Sequence, residues 1–419
     1  MIIINVLNAI YALKFVLQGL FSQRRRRKSK VEKYDTVVIG GGPAGSIAAR
    51  TIAEKGFKVL LLEKRQEFGR PVRCAEGVSK KWLEKYTDIK DKWISRPIKG
   101  AILKSPGGKK ALMQYNESDR GYILDRSVFD FDLAVEASES GATVRTKNRV
   151  ERIERNKDSF KIYIEGFNKY IVESKTIIAA DGVEGKIPRM LGINTILDPG
   201  DIEFGLNYQL EGVDINQDYI EMIGGNELAP GGYVWIFPKG EHSANVGLGV
   251  LASRSTKEKN AKYFLDKFVS KRFPEASISK VVAGAVTVAK PLKKMYGNSF
   301  LIVGDSARLS NPLTGAGIGN ALESGALAGE TISKALEKND FSENNFKEYQ
   351  KKVMKSVGNT SKKFYHIKEA FIKFSDKDID DMITLLSQVD PEKLNLKKLL
   401  TITFKNNKEI ISLLKKIVF

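Results

Sequence analysis

The 419-residue chain has one cysteine, Cys74, and two histidines, His242 and His366. A single cysteine cannot form an internal disulfide. With the histidines this far apart and in no motif, neither a cysteine-ligated nor a histidine-ligated metal site is expected. Internal repeats and long low-complexity segments are also missing, which excludes solenoids and arrays. Acidic residues are absent from positions 1–30, which carry seven positive charges, while residues 393–419 carry seven lysines against Glu409. Thirteen of the nineteen net positive charges therefore sit at the two ends. A nucleic-acid-binding domain would concentrate its charge on a folded module with a recognisable motif, and none is present, so no nucleic-acid partner is expected. The 42% apolar and 28% charged residues are ordinary for a folded protein, and the length predicts two or three domains.

The chain begins "MIIINVLNAIYALKFVLQGLFSQRRRRKSK". Twenty-one mostly apolar residues precede a basic cluster from Arg24 to Lys30, and as a helix they would extend about 31 Å, one bilayer core. A cleaved signal peptide would place its positive charges before the apolar run. A signal anchor with the basic cluster in the cytoplasm and an interfacial helix with one apolar face both fit, and both predict contact with the cytoplasmic face of the cell membrane. The lysine-rich C-terminal stretch from Leu396 to Val418 reads as an amphipathic helix that covers the protein's own core or docks on anionic lipid.

Between the ends stands "YDTVVIGGGPAGSIAARTIAEKGFKVLLLEKR". An apolar strand runs into Gly40-x-Gly42-x-x-Gly45, a small-residue helix follows, and a second strand ends at Glu63, 23 residues after Gly40. Glycines there permit a tight turn and let N–H groups at the helix start reach a pyrophosphate, while the acid accepts hydrogen bonds from a ribose. An acid at this point argues against a 2′-phosphorylated nucleotide. Downstream, "FLIVGDSARLSNPLTGAGIGNALESG" gives another strand ending at Gly304-Asp305 and a helix start around Gly315, Gly317 and Gly319. A strand-end carboxylate suits a sugar-chain hydroxyl, and a helix N-terminus stabilises negative charge on a reduced flavin. A third strand ends in the Asp181-Gly182 turn of "IIAADGVEGKIPR".

Residues 230–238, "PGGYVWIFP", place Tyr233, Trp235 and Phe237 on alternate positions and so on one face of a strand. Taken alone, the run fits a core strand. The glycine boxes together resemble the flavoprotein hydroxylase-like superfamily, and Pro230-x-x-Tyr233-x-Trp235-x-Phe237-Pro238 resembles the PxxYxWxFP motif of the geranylgeranyl reductase family, over about residues 31–340. Arg308 stands where hydroxylases usually carry a histidine, and "GRPVRCAEGVS" brings Cys74, Ala75, Glu76 and Gly77 to the expected flavin position.

The resemblance implies an α/β fold: a discontinuous Rossmann-like FAD-binding domain, a β-rich substrate domain and a helical C-terminal region. Expected boundaries are 1–30 for the membrane-associating helix, 31–189 and 285–340 for the FAD-binding domain, 190–284 for the substrate domain and 341–419 for the helices. It implies FAD held by Gly40, Gly42, Ala44, Gly45, Glu63, Cys74, Ala75, Gly77, Arg126, Asp305, Gly317 and Ile318, with Val150 near the adenine and no metal. The implied activity is saturation of geranylgeranyl chains on ether glycerophospholipids. Tyr233, Trp235 and Phe237 would line the chain, and Lys362 would meet the lipid phosphate. Because the double bonds are unactivated, hydride delivery needs an accompanying proton donor. Tyr233 and Trp235 are candidates to steady cationic character through their π-faces. The resemblance names no acid. A second cysteine that some relatives pair with Cys74 is absent. NAD(P)H, a ferredoxin or another carrier would supply electrons, since no second nucleotide-binding loop is present. Two other readings stay open at this point: a monooxygenase, marked by oxygen incorporation, and a non-catalytic membrane-anchored flavin-binding protein, marked by FAD that no alkene reoxidises.

Overall fold

A computed structural model describes residues 31–394; the apolar start, the basic cluster and the C-terminal amphipathic stretch lie outside the described residues. Two large sheets organise the rest. The first, of eight strands, runs in the order Tyr296–Gly297, Phe300–Ile302, Lys169–Ala179, Glu32–Ile39, Val59–Leu62 and Thr143–Arg145. Phe160–Glu165 and Arg149–Arg155 extend it beside Lys169–Ala179. Glu32–Ile39 pairs in parallel with both Lys169–Ala179 and Val59–Leu62. Its middle is buried on both faces, and so Val37, Val38, Leu60, Leu61, Ile177 and Ile178 form an unbroken apolar layer rather than an alternating one.

Helices Pro43–Ala53 and Ile318–Lys338 pack against each other over this sheet at close range. Side chains at Gly325 and Gly329 would collide with the Ala44 backbone and the Thr51 side chain. The small-residue runs seen in both segments therefore serve helix–helix contact as well as the loops that precede them.

The second sheet has seven strands, in the order Ser277–Thr287, Ile202–Glu211, Ser243–Leu251, Tyr233–Gly240, Tyr219–Gly224, Gly100–Lys104 and Lys110–Gln114. One face carries Leu206, Tyr208, Leu210, Val234, Ile236, Val246 and Leu248, buried against helix Ala261–Arg272. The opposite face is turned toward the cofactor sheet's loops. Gly100–Lys104 and Lys110–Gln114 fall inside the 31–189 stretch expected for the FAD-binding domain, yet they belong to this sheet, with Tyr219 to Ile223 parallel to Gly100 to Lys104. Ser277–Thr287 likewise runs past the expected boundary at 284. Strand pairing follows register and not chain order. Gly100 allows this pairing because a Cβ there would meet the Tyr219 ring at 2.9 Å. A small sheet of Gly77–Ser79, Gly121–Leu124 and Ile94–Ile98 lies between the two in chain order. The described part of the C-terminal region is helical, with Glu343–Val353, a π-turn at Met354–Gly358, Asn359–Phe371 and Asp376–Leu386. Its last stretch reaches the edge of the second sheet through the Gln114 N–H, which donates to the Pro391 carbonyl at 3.0 Å.

Candidate functional site

At the end of strand Glu32–Ile39, Gly40 adopts φ +112°, a conformation that glycine favours. A side chain there would overlap the Ala180 carbonyl, and one at Gly45 would overlap the Gly40 carbonyl. Gly42 differs, since a Cβ there meets nothing within 4 Å: its open side faces the cradle. Glu63 secures the turn, its Oε2 accepting from the Gly41 N–H at 2.9 Å and its Oε1 from the Arg65 N–H at 2.8 Å. The Asn148 N–H donates to the Glu63 carbonyl at 2.9 Å, which brings the buried Val150 to the neighbourhood of this acid. Ala44 is buried beneath the loop.

The downstream box meets the first from across the sheet. Ser306 Oγ accepts from the Gly182 N–H at 2.7 Å and lies 3.0 Å from Asp181 Oδ1, tying the two strand-end turns together. Gly317 caps helix Ile318–Lys338 without a side-chain hydrogen bond, and a Cβ on it would stand 3.2 Å from Asp305 Oδ1. The Asp305 carboxylate has no hydrogen bond or ion pair among the described residues. Burial pushes its pKa up, and Arg126 pulls the other way. An unpartnered carboxylate, an open glycine turn and an uncapped helix N-terminus converge here, and this set fits FAD: donors for a pyrophosphate and an acceptor for a ribityl hydroxyl.

Arg126 is the first residue of helix Arg126–Glu139, but its guanidinium turns onto Asp130, with Nε and Nη2 each donating at 2.7 Å. That pair holds the guanidinium one turn along its own helix in a near-ideal bidentate match, and its charge still acts on Asp305 and Cys74. Cys74 is half-buried, with its thiol accepting from the Glu76 N–H at 3.2 Å. Burial pushes that thiol's pKa up, so it stays protonated.

On the second sheet, Tyr233, Trp235 and Phe237 share the face opposite the helix-packed one, as alternation predicts. The Tyr233 hydroxyl donates to the Thr314 carbonyl at 2.6 Å, which ties the aromatic strand to the loop leading into Gly317. Burial raises its pKa far above the usual tyrosine range. Its ring meets Trp235 edge-on, with centroids 6.0 Å apart. Phe237 packs beside Ile98 and Ile123, 3.2 Å from where a Gly77 Cβ would lie. Ala75 packs against the same cluster. Lys362 stands exposed on helix Asn359–Phe371 and forms no hydrogen bond or ion pair among the described residues. The buried lysine of that helix is Lys368. His242 is exposed in the turn between two strands rather than within one.

Several residues that sequence reasoning missed join the two halves. Trp235 Nε1 donates to Asn207 Oδ1 at 2.8 Å, Asn207 Nδ2 to Asn245 Oδ1 at 3.3 Å, and Asn245 Nδ2 to Glu76 Oε2 at 2.8 Å. Glu76, buried and at φ +75°, also accepts from Lys239 Nζ at 2.7 Å and from the Arg126 N–H at 2.9 Å. A buried carboxylate with this many donors is satisfied and holds the Cys74–Gly77 loop to the aromatic strand. Glycines form a second feature. Gly249, Gly205 and Gly284 pair in one row across three strands, and the adjacent row reads Trp235, Gly247, Asn207 and Val282. The glycine row is a floor without side chains beside the aromatic line. Glu203, two residues from Gly205, leans over that floor, with Oε2 2.5 Å from where a Gly249 Cβ would be. Burial pushes its pKa up to about 7, and Lys368 opposes the shift. The local signal was the i, i+2 pair Gly247 and Gly249 and the polar or glycine positions alternating with apolar ones in "IEFGLNYQLE" and "SANVGLGVL".

A cradle that fits FAD on one sheet, joined to an aromatic and glycine-floored face on another, defines a flavoprotein of the geranylgeranyl reductase type. The geranylgeranyl reductase catalytic domain matches residues 201–288 and an FAD binding domain matches residues 35–97; the first span is the core of the seven-stranded sheet. Curated relatives named digeranylgeranylglycerophospholipid reductase are 44% identical in Methanosarcina mazei, over 91% of this chain and 95% of the relative. In Methanothrix thermoacetophila the figures are 43%, 90% and 97%. The chain belongs to that reductase family, and its cofactor is FAD. A solved structure of a geranylgeranyl bacteriochlorophyll reductase-like protein from Thermoplasma acidophilum superposes with TM-score 0.88 at 32% identity, covering 93% of this chain and 100% of that one. A mutant of the halogenase PltM in complex with FAD, at 16% identity, shares the fold alone, with TM-score 0.64 over 84% of this chain and 79% of that one.

Proposed function

We propose that the protein is an FAD-dependent reductase that saturates the double bonds of geranylgeranyl chains on ether glycerophospholipids. The observation that carries this reading is the join between the two sheets. The Tyr233 hydroxyl and the Asn207–Asn245–Glu76 chain tie a face with no side chains on its floor to the loops that hold the flavin. A long hydrocarbon offers no polar handle, so its position is set by shape and aromatic faces. Reduced FAD supplies a hydride when bound. Gly42, Ala44 and Gly45 present backbone N–H groups to its pyrophosphate on a turn that Gly40 closes, its own N–H donating to the Leu62 carbonyl, while Glu63 offers its carboxylate to the ribose and Val150 an apolar wall to the adenine. Asp305 accepts from the ribityl chain, while Gly317 and Ile318 turn a helix N-terminus toward the ring. Cys74, Ala75 and Gly77 flank the ring. Arg126 contributes charge to this pocket while paired with Asp130.

Tyr233 and Trp235 orient the alkene and steady positive character on it, Phe237 closes the groove, and the exposed Lys362 is the candidate for the lipid phosphate. An external carrier such as NAD(P)H or a ferredoxin reduces the flavin. The apolar start followed by a basic cluster supports residence at the cytoplasmic face of the membrane. Among the described residues no helix is long and apolar enough to cross one. The test is product mass: holoenzyme, a chemical reductant and a digeranylgeranyl glycerophospholipid without oxygen should give products heavier by successive hydrogen pairs. Unchanged lipid without oxygen and an oxygen-containing product with it would instead identify a monooxygenase. Trp235→Leu should lower turnover more than it weakens lipid binding, and equal losses would remove the role given to its π-face.

A further inference from the structure

Saturating an unactivated alkene requires a proton as well as a hydride, and most acids near the groove are committed elsewhere. Glu76 is occupied by Lys239, Asn245 and the Arg126 N–H. The Tyr233 hydroxyl donates to Thr314, and burial holds it protonated far above neutral pH. The Trp235 N–H donates to Asn207, and Cys74 has its thiol pKa pushed up. Asp305, also without a partner, belongs to the flavin cradle beside Gly317.

We propose that Glu203 is the proton donor of the reduction, acting from the floor of the glycine row. This rests on the reading of the protein as an alkene reductase. Glu203 pairs through its backbone with Leu251 and Val286, and the row beyond it is Gly249, Gly205 and Gly284. Its side chain lies across Gly249 on the face that carries Tyr233 and Trp235, and it forms no hydrogen bond or ion pair among the described residues. A Gly205 Cβ would meet only ordinary contacts, at 3.6 Å or more and with the Trp235 ring among them, so a carbon of the substrate fits against the strand backbone there, beside that ring and within reach of this carboxyl. Gly315, in the loop leading to the cofactor helix, sits above Val286 and brings the cradle to the same end of the face.

The charged groups around Glu203 are otherwise engaged. Lys368 is held by Glu369 at 3.0 Å, the Gly200 carbonyl at 3.1 Å and Asp201 at 3.5 Å. Arg73, above Gly284, pairs with Glu184 at 2.8 Å. Arg254 donates to Asn226 at 2.7 Å and to the Ile372 carbonyl. Tyr233 faces it un-ionised. A carboxyl pushed up to about 7 is matched to proton donation near neutral pH. In the step, the carboxyl O–H bond breaks and its proton joins one alkene carbon, while the other carbon takes the hydride of the dihydroflavin. The π bond is replaced by two C–H bonds, the alkene gains two electrons that the dihydroflavin loses, and the carboxylate regains a proton from solvent.

The experiment compares wild type, Glu203→Gln and Glu203→Asp as FAD-loaded full chains, reduced anaerobically with dithionite and mixed with digeranylgeranyl glycerophospholipid. Loss of a general acid predicts reoxidation slowed by roughly 10²–10⁴-fold in Glu203→Gln, with FAD content and lipid affinity unchanged. Glu203→Asp should keep part of the rate. The wild-type rate should fall as pH rises through about 7, a limb absent from the residual rate of Glu203→Gln. A second readout needs no turnover: an infrared carboxyl band of the oxidised protein that titrates near neutral pH should vanish in Glu203→Gln. If lipid reoxidises Glu203→Gln at the wild-type rate, or the carboxyl band persists, the assignment is overturned alone. If lipid fails to reoxidise the wild-type flavin, the reductase reading falls and this assignment with it.

Discussion

The two sheets use glycine for opposite purposes. In the cofactor sheet the glycines are clustered at one turn, and side chains at Gly40 and Gly45 would strike backbone carbonyls, so the fold itself depends on them. In the substrate sheet Gly205, Gly249 and Gly284 come from three strands, and a side chain at Gly205 or Gly284 would meet neighbours only at 3.5 Å or beyond. There a Cβ at Gly205 or Gly284 fits at ordinary contact distance, and one at Gly249 would meet only the Glu203 carboxylate, the far end of a side chain and not backbone. The contrast teaches that a glycine's role is read from what its missing Cβ would touch, backbone in one region and the ends of side chains in the other.

The largest effect is expected at Gly45→Val, which would drive a side chain into the Gly40 carbonyl. Overpacking of this kind costs about 1–3 kcal/mol, and urea unfolding together with the flavin-to-protein absorbance ratio should show a weakened fold with little FAD. Normal flavin content would break the first half of the comparison. Asp305→Ala should weaken FAD binding by about 1.5–3 kcal/mol, the worth of a hydrogen bond to a charged group, in a fluorescence titration of apoprotein. The apoprotein itself should lose no stability, because that carboxylate has no partner to lose.

Asn207→Ala comes next. It leaves the Trp235 N–H without its acceptor and interrupts the chain to Glu76, for a loss of about 1–3 kcal/mol in unfolding free energy. Glu203 gives a pH-dependent stability effect with a definite sign. Its folded pKa of about 7 lies above the ordinary carboxylate value, so its protonated form favours the folded state. That contribution is complete below about pH 4.5 and is lost as pH rises through about 7. Glu203→Gln should therefore match wild type in acid and become relatively more stable by pH 8.5, as read by urea unfolding at both ends. No change in the difference would show that the carboxyl is not buried as described.

The cofactor half was legible because its signal is local. Gly40-x-Gly42-x-x-Gly45, Glu63 and Gly304-Asp305 sit at strand ends that the sequence marks on its own, and the structure brings them to one cradle. Arg126 pairs with Asp130 four residues on, a partner that a linear reading does not weigh. On the substrate side only the aromatic alternation is local. Trp235 finds Asn207 across 28 residues and Asn245 finds Glu76 across 169, so these partners, the glycine row and Glu203 became visible only once strand register was known. The same reason hid Gly100–Lys104 and Lys110–Gln114 from the substrate sheet.

The central claim is that reduction takes place over the glycine floor, at the end where it meets the cradle that holds FAD. Anaerobic stopped-flow of Gly205→Val tests it most directly, with flavin absorbance followed after digeranylgeranyl glycerophospholipid is added to the dithionite-reduced holoprotein. The account predicts wild-type FAD content, wild-type reduction by dithionite, unfolding free energy within about 1 kcal/mol of wild type, and reoxidation by lipid slowed at least about tenfold, the effect of roughly 1.4 kcal/mol. Reoxidation at the wild-type rate in a folded, FAD-loaded Gly205→Val protein would contradict it.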